Sequence, residues 1–218
     1  MRIIMLGAPG SGKGTQTQLL SKYFYIPFIS AGEILRQESK KNEKTKSYIE
    51  NKINQGKLVN NSFIINLIKK KIKKKNCFNK FILDGFPRTI KQAESLKKHI
   101  KMQFVIHLKI STHNILNRIT GRLIHTSSGR TYHKTFNPPK RKNKDDLTGE
   151  LLSKRKDDDK KIIITRLEEY RKLTTPLIDW FKKEDLKQNV KYIEINANKS
   201  IHEINKKIIL YINKNNKK

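Results

Sequence analysis

The sequence predicts an α/β protein, a parallel sheet flanked by helices, and three observations carry that prediction. Apolar runs of strand length alternate with segments of helical periodicity over most of the 218 residues, which is how a parallel sheet covered by helices is built. The first run, residues 2–6, empties into a glycine-rich loop, Gly7-Ala8-Pro9-Gly10-Ser11-Gly12-Lys13-Gly14-Thr15, before a helical pattern begins. A later run, Phe81-Ile82-Leu83, ends in Asp84. Loop and carboxylate thus both belong at the carboxyl ends of strands, where ligands bind in open α/β sheets.

The loop is a phosphate cradle. Glycines let the backbone fold around an anion with several N–H groups inward, the following helix offers its positive N-terminal end, and Lys13 adds a full charge. This places the fold in the P-loop NTPase class. The general pattern has Ser or Thr directly after the Lys; here Gly14 intervenes and Thr15 supplies the hydroxyl. The helix that follows presents Leu19, Leu20, Tyr23 and Phe24 on a buried face and closes at Tyr25-Ile26-Pro27. Phe28 and Ile29 form a very short strand, and Ser30 caps a helix carrying Ile34, Leu35 and Arg36. Residues 30–59 are polar, with few large apolar side chains, and read as an inserted excursion outside the core.

Asn60 or Asn61 caps a helix with Phe63, Ile64, Leu67, Ile68 and Ile72 on one side, and a lysine-rich exit spans residues 69–75. Asp84 ends the next strand, beside the P-loop strand, where a magnesium-holding carboxylate belongs in this class. After Gly85-Phe86-Pro87-Arg88-Thr89 come a helix containing Gln92, a strand at 104–108, and a helix with Ile115, Leu116 and Ile119 that ends at Gly121.

Residues 121–158 break the alternation with turn signals and short β-like pieces. Within them His125, Ser128, Asp145 and Thr148 have the ligand spacing of a zinc ribbon, but two hydroxyls stand where zinc prefers thiolate or imidazole. No zinc is expected there; a hydrogen-bonded substitute for a metal knuckle is. A long helix from about residue 160 carries Ile163, Leu167, Tyr170, Leu173, Leu177 and Phe181 as core positions, with Pro176 marking a kink. A last strand at 190–195 and a helix with Ile201, Ile204, Ile208 and Leu210 follow.

At 218 residues the chain fits one domain with room for inserted subdomains. The net charge of +30, from 49 Lys and Arg against 19 Asp and Glu, makes nucleic acid and acidic membrane surfaces electrostatic candidates. The lysines are scattered, however, and no segment interleaves them with aromatics as a single-strand binding platform would. No specific nucleic acid and no membrane is therefore expected as a partner. Cys77 is the only cysteine, which excludes a disulfide within the chain and a four-cysteine zinc site and suits a reducing cytoplasm. The N-terminal apolar run is too short for a secretory signal, and no run approaches the ~20 apolar residues of a membrane span. A soluble cytoplasmic protein is expected.

Together these motifs resemble the adenylate kinase family, in its long-lid bacterial form, over nearly the whole chain. The loop at 7–15 is similar to that family's version of the P-loop, which includes a glycine after the lysine. Asp84-Gly85-Phe86-Pro87-Arg88-Thr89 is similar to its most specific signature, and Phe136-Asn137-Pro138-Pro139 with Arg155-Lys156-Asp157-Asp158 resembles its lid. The resemblance implies a core of residues 1–29, 60–120 and 159–218 with two mobile inserts. One is a helical acceptor-binding insert at 30–59, the other a small β-rich lid at 121–158. It also implies a monomer, with ATP, AMP and ADP as its nucleotides, catalysing MgATP + AMP to two ADP with Mg2+ as cofactor.

By the same resemblance Gly10, Ser11, Gly12, Lys13, Gly14, Thr15, Arg118 and Arg122 hold ATP, with Thr131, Tyr132 and Lys199 at its adenosine. AMP is held by Ala31, Arg36, Lys57, Leu58 and Val59, by Gly85, Phe86, Pro87 and Arg88, and by Gln92, which reads the base. Arg155 and Arg166 bridge the transferring group, and Asp84 holds Mg2+ through water. Lys13, Arg88, Arg122, Arg155 and Arg166 form the catalytic set. The chemistry agrees: the phosphate of AMP is already an anion, so no general base is required. Two doubly charged phosphates ~5 Å apart repel by roughly 13 kcal/mol at an effective dielectric of 20, so several cations are. In the family Thr usually follows the Ser of the acceptor helix, whereas this chain has Ala31. One lost hydrogen bond of about 1 kcal/mol implies several-fold weaker AMP binding.

Two other readings stand beside this one. A kinase for CMP or UMP, or one using GTP, shares the motifs, although the long segment after Gly121 and Gln92 speak for adenine and a long lid. A basic nucleic-acid-binding protein with nucleotide as a switch is favoured by charge and opposed by the completeness of the kinase motifs.

Overall fold

The computed structural model describes residues 1–73, 77, 79–155 and 158–216. Lys74 and Lys75 of the first lysine run, Lys156 and Asp157 of the lid motif, and Lys217 and Lys218 of the tail lie outside the described residues. The strands are β1 (Arg2–Gly7), β2 (Phe28–Ser30), β3 (Phe81–Asp84), β4 (Phe104–Lys109), β5 (Arg122–Ile124), β6 (Thr131–His133) and β7 (Lys191–Asn196). β2-β3-β1-β4-β7 is the order of one sheet, every neighbouring pair parallel, while β5 and β6 form a separate antiparallel pair.

Central β1 is apolar without alternation because helices cover both faces: Ile3, Ile4, Met5 and Leu6 are all buried. Successive side chains serve opposite layers. Ile4, Leu6, Phe81, Leu83 and Val105 pack with one set of helices, α2 (Ala31–Glu38), α4 (Asn61–Ile72), α5 (Ile90–Lys97) and α8 (Thr175–Leu186). Ile3, Met5, Ile82, Phe104 and Ile106 pack with α1 (Lys13–Phe24) and α9 (Ile201–Asn215) on the other side. A smaller cluster of Ala8, Ile115, Ile119, Ile163 and Leu167 fastens α6 (Thr112–Thr120) and α7 (Lys160–Glu169) beside the glycine loop. The remaining helix is α3 (Glu43–Asn54). Side-chain oxygens cap several of these helices, among them Ser30 for α2, Asn60 for α4 and Thr89 for α5, so those boundaries fall where the sequence puts them.

Four expectations change. Tyr23 is 52% exposed, and α1 instead buries Gln16, Thr17 and Leu20, because its inner face meets α9. Gln16 satisfies its amide there by donating to the Ile201 carbonyl at 2.9 Å and accepting from Asn205 at 3.1 Å. Residues 30–59 are not wholly outside the core: Ala31, Ile34 and Val59 are buried in the main cluster, and Ile49 is buried too. These few apolar side chains root a segment whose polar ones cover it. Leu210 is 59% exposed, and Ile212, one helical turn after the buried Ile208, fills the inner face of α9 instead. The helix after residue 160 is interrupted by a π turn at Tyr170–Thr174, directly before the position where Pro176 was expected to kink it. Among the described residues no helix is long and apolar enough to cross a membrane.

Candidate active site

The glycine loop runs from the end of β1 to the start of α1, at the carboxyl edge of the sheet. Gly10 has φ +78°, and a Cβ there would sit 2.8 Å from the Ile119 side chain, so only glycine fits. Gly12, φ +91°, caps α1 with no side chain in the way of the helix N-terminus. Lys13 Nζ turns back over the loop and donates to the carbonyls of Gly7 at 2.6 Å and Ala8 at 2.8 Å. Burial pushes its ammonium down to about 7. Asp84 opposes that shift, and Arg88, Arg166 and Arg122 reinforce it.

The sheet register brings the loop to Asp84. Met5 pairs with Asp84 across β1 and β3, and β4 runs on the other side of β1, so the cleft opens where the chain crosses from one flank of the sheet to the other. The cleft encloses about 270 Å3. Among the described residues its wall carries Lys13, Arg36, Arg88, Arg118, Arg122, Arg155 and Arg166, seven basic side chains, against three carboxylates, Glu33, Asp84 and Glu169. That imbalance suits a polyanion. Arg122 is paired with Asp158, through Nε at 2.8 Å and through Nη2, which fixes its fork. Arg118 lies 5.7 Å from the centre of the Phe136 ring.

Of the residues expected at the site, Gly10, Ser11, Gly12, Lys13, Gly14 and Thr15 line the cleft with Arg118, Arg122, Thr131 and Tyr132. Arg36, Leu58, Gly85, Pro87, Arg88, Arg155, Arg166 and Asp84 line it as well. Six others stand back from the wall. Val59 and Phe86 are core residues. Ala31 is buried, its Cβ 3.9 Å from where a Cβ on Gly85 would lie. Lys57 is exposed. Gln92 is buried with its amide engaged at both ends, Oε1 accepting the Arg88 N–H at 2.8 Å and Nε2 donating to Asn61 at 2.7 Å. Lys199 approaches through its carbonyl, which accepts from Arg118 at 3.5 Å.

The wall also holds residues the sequence reading passed over. His133, Phe136 and Asn137 continue the wall beyond Thr131 and Tyr132, and burial pushes the His133 imidazole down. Phe136 and Asn137 belong to a motif already noted, and an aromatic ring beside it was the available signal. Glu33 lies one turn before Arg36, and burial pushes its carboxyl up. A Cβ on Gly129 would sit 2.5 Å from Glu33 Oε1, so the loop between β5 and β6 rests directly on α2. Tyr170 was read as a core position only; it lines the cleft, as does Thr174.

Within residues 121–158 His125, Ser128, Asp145 and Thr148 converge. His125 Nδ1 and Ser128 Oγ are 2.7 Å apart, and Thr148 Oγ1 donates to Asp145 at 3.1 Å. Asp145 also accepts a two-pronged bond from Arg130 at 2.8 and 2.6 Å and one from Tyr132 at 2.9 Å. The Arg130 bond, ahead of several others, holds its carboxyl well below the usual carboxylate range. His125 also meets Glu150 through Nε2.

Among the described residues no group of three or more His, Cys, Asp or Glu is placed to hold a metal by itself. Mg2+ does not demand one, since it keeps several waters and is bound by one or two carboxylates together with substrate phosphates. Asp84 fits that pattern: its Oδ2 would lie 3.7 Å from a Cβ on Gly14, so hard oxygen and phosphate loop face each other.

A profile of the family described as adenylate kinase matches residues 5–186. The adenylate kinase of Buchnera aphidicola subsp. Cinara cedri (strain Cc) is 66% identical over 216 residues, 99% of each chain. That of Buchnera aphidicola subsp. Acyrthosiphon pisum (strain Tuc7) is 50% identical, covering 95% of this chain and 97% of its own. For Sodalis glossinidius (strain morsitans) the figures are 43%, 94% and 96%. With its glycine loop, its cationic cleft and these full-length likenesses, the chain belongs to the adenylate kinase family.

Proposed function

We propose that the cleft carries reversible phosphoryl transfer from MgATP to AMP, giving two ADP. The observation that carries this reading is the convergence of seven basic side chains, among the described residues, on one cleft at the carboxyl edge of the sheet, with Asp84 at the end of β3. The attacking phosphate oxygen of AMP already bears negative charge, so the protein has no proton to remove. Its work is to position two anions and offset their repulsion. The glycine loop and Lys13 take the donor phosphates, with Arg118 and Arg122 beside them. Arg36 and Arg88 take the acceptor phosphate, and Arg155 and Arg166 span the gap. Guanidinium forks suit this because each can meet two phosphate oxygens at once. Asp84 would hold Mg2+, which supplies charge neutralisation on the donor phosphates when bound.

Residues 121–158 serve as the lid and 30–59 as the acceptor insert in this reading, supported by the rest of the Gly129 loop on Glu33. Lid gating is an established behaviour of adenylate kinases as a class and is adopted as such. Closure excludes water, which would otherwise accept the phosphoryl group. A cytoplasmic monomer completes the reading. The test is a coupled ADP-formation assay in which ATP and AMP are omitted in turn, with CMP, UMP and GMP as competing acceptors and GTP as competing donor. Turnover requiring both ATP and AMP is expected; efficient use of a pyrimidine acceptor or of GTP in their place would overturn the assignment.

A further inference from the structure

The helical segment behind the cleft departs from regular α geometry at one place. Between α7 and α8 the Thr175 N–H bonds to the Tyr170 carbonyl, five residues back, closing a π turn over Tyr170–Thr174. Pro176 accounts for its position. Proline has no N–H to donate, and its ring would strike the carbonyl of Lys172 in a regular helix, so the chain widens just before it.

Thr174 closes this turn. It is only 5% exposed, it borders the cleft, and its Oγ1 donates to the carbonyl of Arg88 at 2.9 Å. A buried hydroxyl must find some acceptor, so the bond alone assigns no role. Its target does. Arg88 is held at its N–H by Gln92 Oε1 at 2.8 Å, and its own Nε–H returns to the Gly85 carbonyl at 2.9 Å. Both partners belong to the segment that carries Arg88. The Thr174 bond comes from another element, 86 residues away in sequence, and fixes that segment to the helix behind the lid.

We propose that Thr174 is a positioning residue for Arg88: its hydroxyl anchors the Arg88 carbonyl and so aims the guanidinium at the acceptor phosphate. This rests on the reading above in which Arg88 holds the phosphate of AMP. A positioning role acts on one substrate. Losing the anchor lets the arginine wander relative to AMP while the donor site, built on the glycine loop, keeps its geometry.

Thr174→Val removes the donor with little change of shape. The expected result is a rise of about fivefold in the KM for AMP, the scale of one hydrogen bond, with the KM for ATP within twofold of wild type. Thr174→Ser should restore most of the loss. Thr174→Ala, compared with Thr174→Ser, answers the same question where the valine variant does not fold. A lowered Tm with both KM values unchanged would make Thr174 structural only and overturn the proposal, as would equal rises in both KM values. Arg88→Lys in the same assay separates the two claims. A fall of at least tenfold in kcat/KM for AMP is expected from it. If Arg88→Lys is neutral, the reading of Arg88 fails and the proposal with it. If Arg88→Lys is impaired but Thr174→Val and Thr174→Ala bind AMP normally, the proposal alone fails.

Discussion

Lys13 shows how a single residue's surroundings become a measurable coupling. Burial pushes its pKa down to about 7, so above that pH the side chain is largely neutral in the free protein. Bound phosphates favour the charged form and raise that pKa. Nucleotide binding at pH 8 should therefore be accompanied by proton uptake, and the uptake through Lys13 should fade as the pH drops well below 7, where it is charged in both states. Titration calorimetry of ATP in two buffers of different ionisation enthalpy reads this directly; no buffer dependence at pH 8 would show that Lys13 is already charged. Ala31 makes the second case. It starts α2 with its Cβ turned toward Gly85, whose neighbour in space is the Arg88 guanidinium. Ala31→Thr would set a hydroxyl near Gly85 and Arg88, the acceptor side of the cleft in the proposed reading, and an AMP KM several-fold lower is expected. An unchanged KM would mean that this position does not reach the acceptor.

At the scale of elements, the segment 121–158 holds itself together through polar contacts, because its described residues include few buried apolar side chains, chiefly Leu123, Ile124 and Tyr132. Asp145 is the hub. Its folded pKa is depressed, so its contribution is fully present above the unfolded value near 4 and is lost as the pH falls through the lower folded value. Acidification from pH 4 toward 2 should accordingly loosen residues 121–158 before the sheet, seen as faster amide exchange at Tyr132 than at Ile4. Asp145→Asn leaves Arg130 with a weaker partner and should lower Tm by about 5 °C or more at pH 7. A thermal melt superimposable on wild type would show that the cluster contributes nothing to stability.

The whole molecule carries a net charge of +30, far more than its cleft accounts for. Such a surface attracts any polyanion at low ionic strength, and the attraction decays steeply as salt displaces counterions. Duplex DNA should bind at about 20 mM salt and release by about 150 mM, without sequence preference, in a fluorescence anisotropy titration. Specific binding that survives 150 mM salt would give the protein a second partner class. Nothing in the family likeness favours that reading: the matches run through the kinase core and cover nearly the full chain.

The order of the elements, the phosphate loop and the capped helix starts were legible in the sequence because they depend on local rules. Glycine alone tolerates the φ of Gly10, a side-chain oxygen at Ser30 or Thr89 begins a helix, and apolar spacing tells strand from helix. The arginines of the site came from likeness to a family, since nothing in their spacing distinguishes them from other cations in a chain with 49. Tertiary structure decided the rest. It turned Tyr23 outward and Gln16 inward, drew Ile34 and Ile49 into the interior of a polar segment, and joined Thr174 to Arg88. The periodicity of a helix states which side chains share a face but not what that face will meet. Partners far apart in sequence are chosen only when strands such as β1 and β3 align Met5 with Asp84 and the remaining elements pack around them.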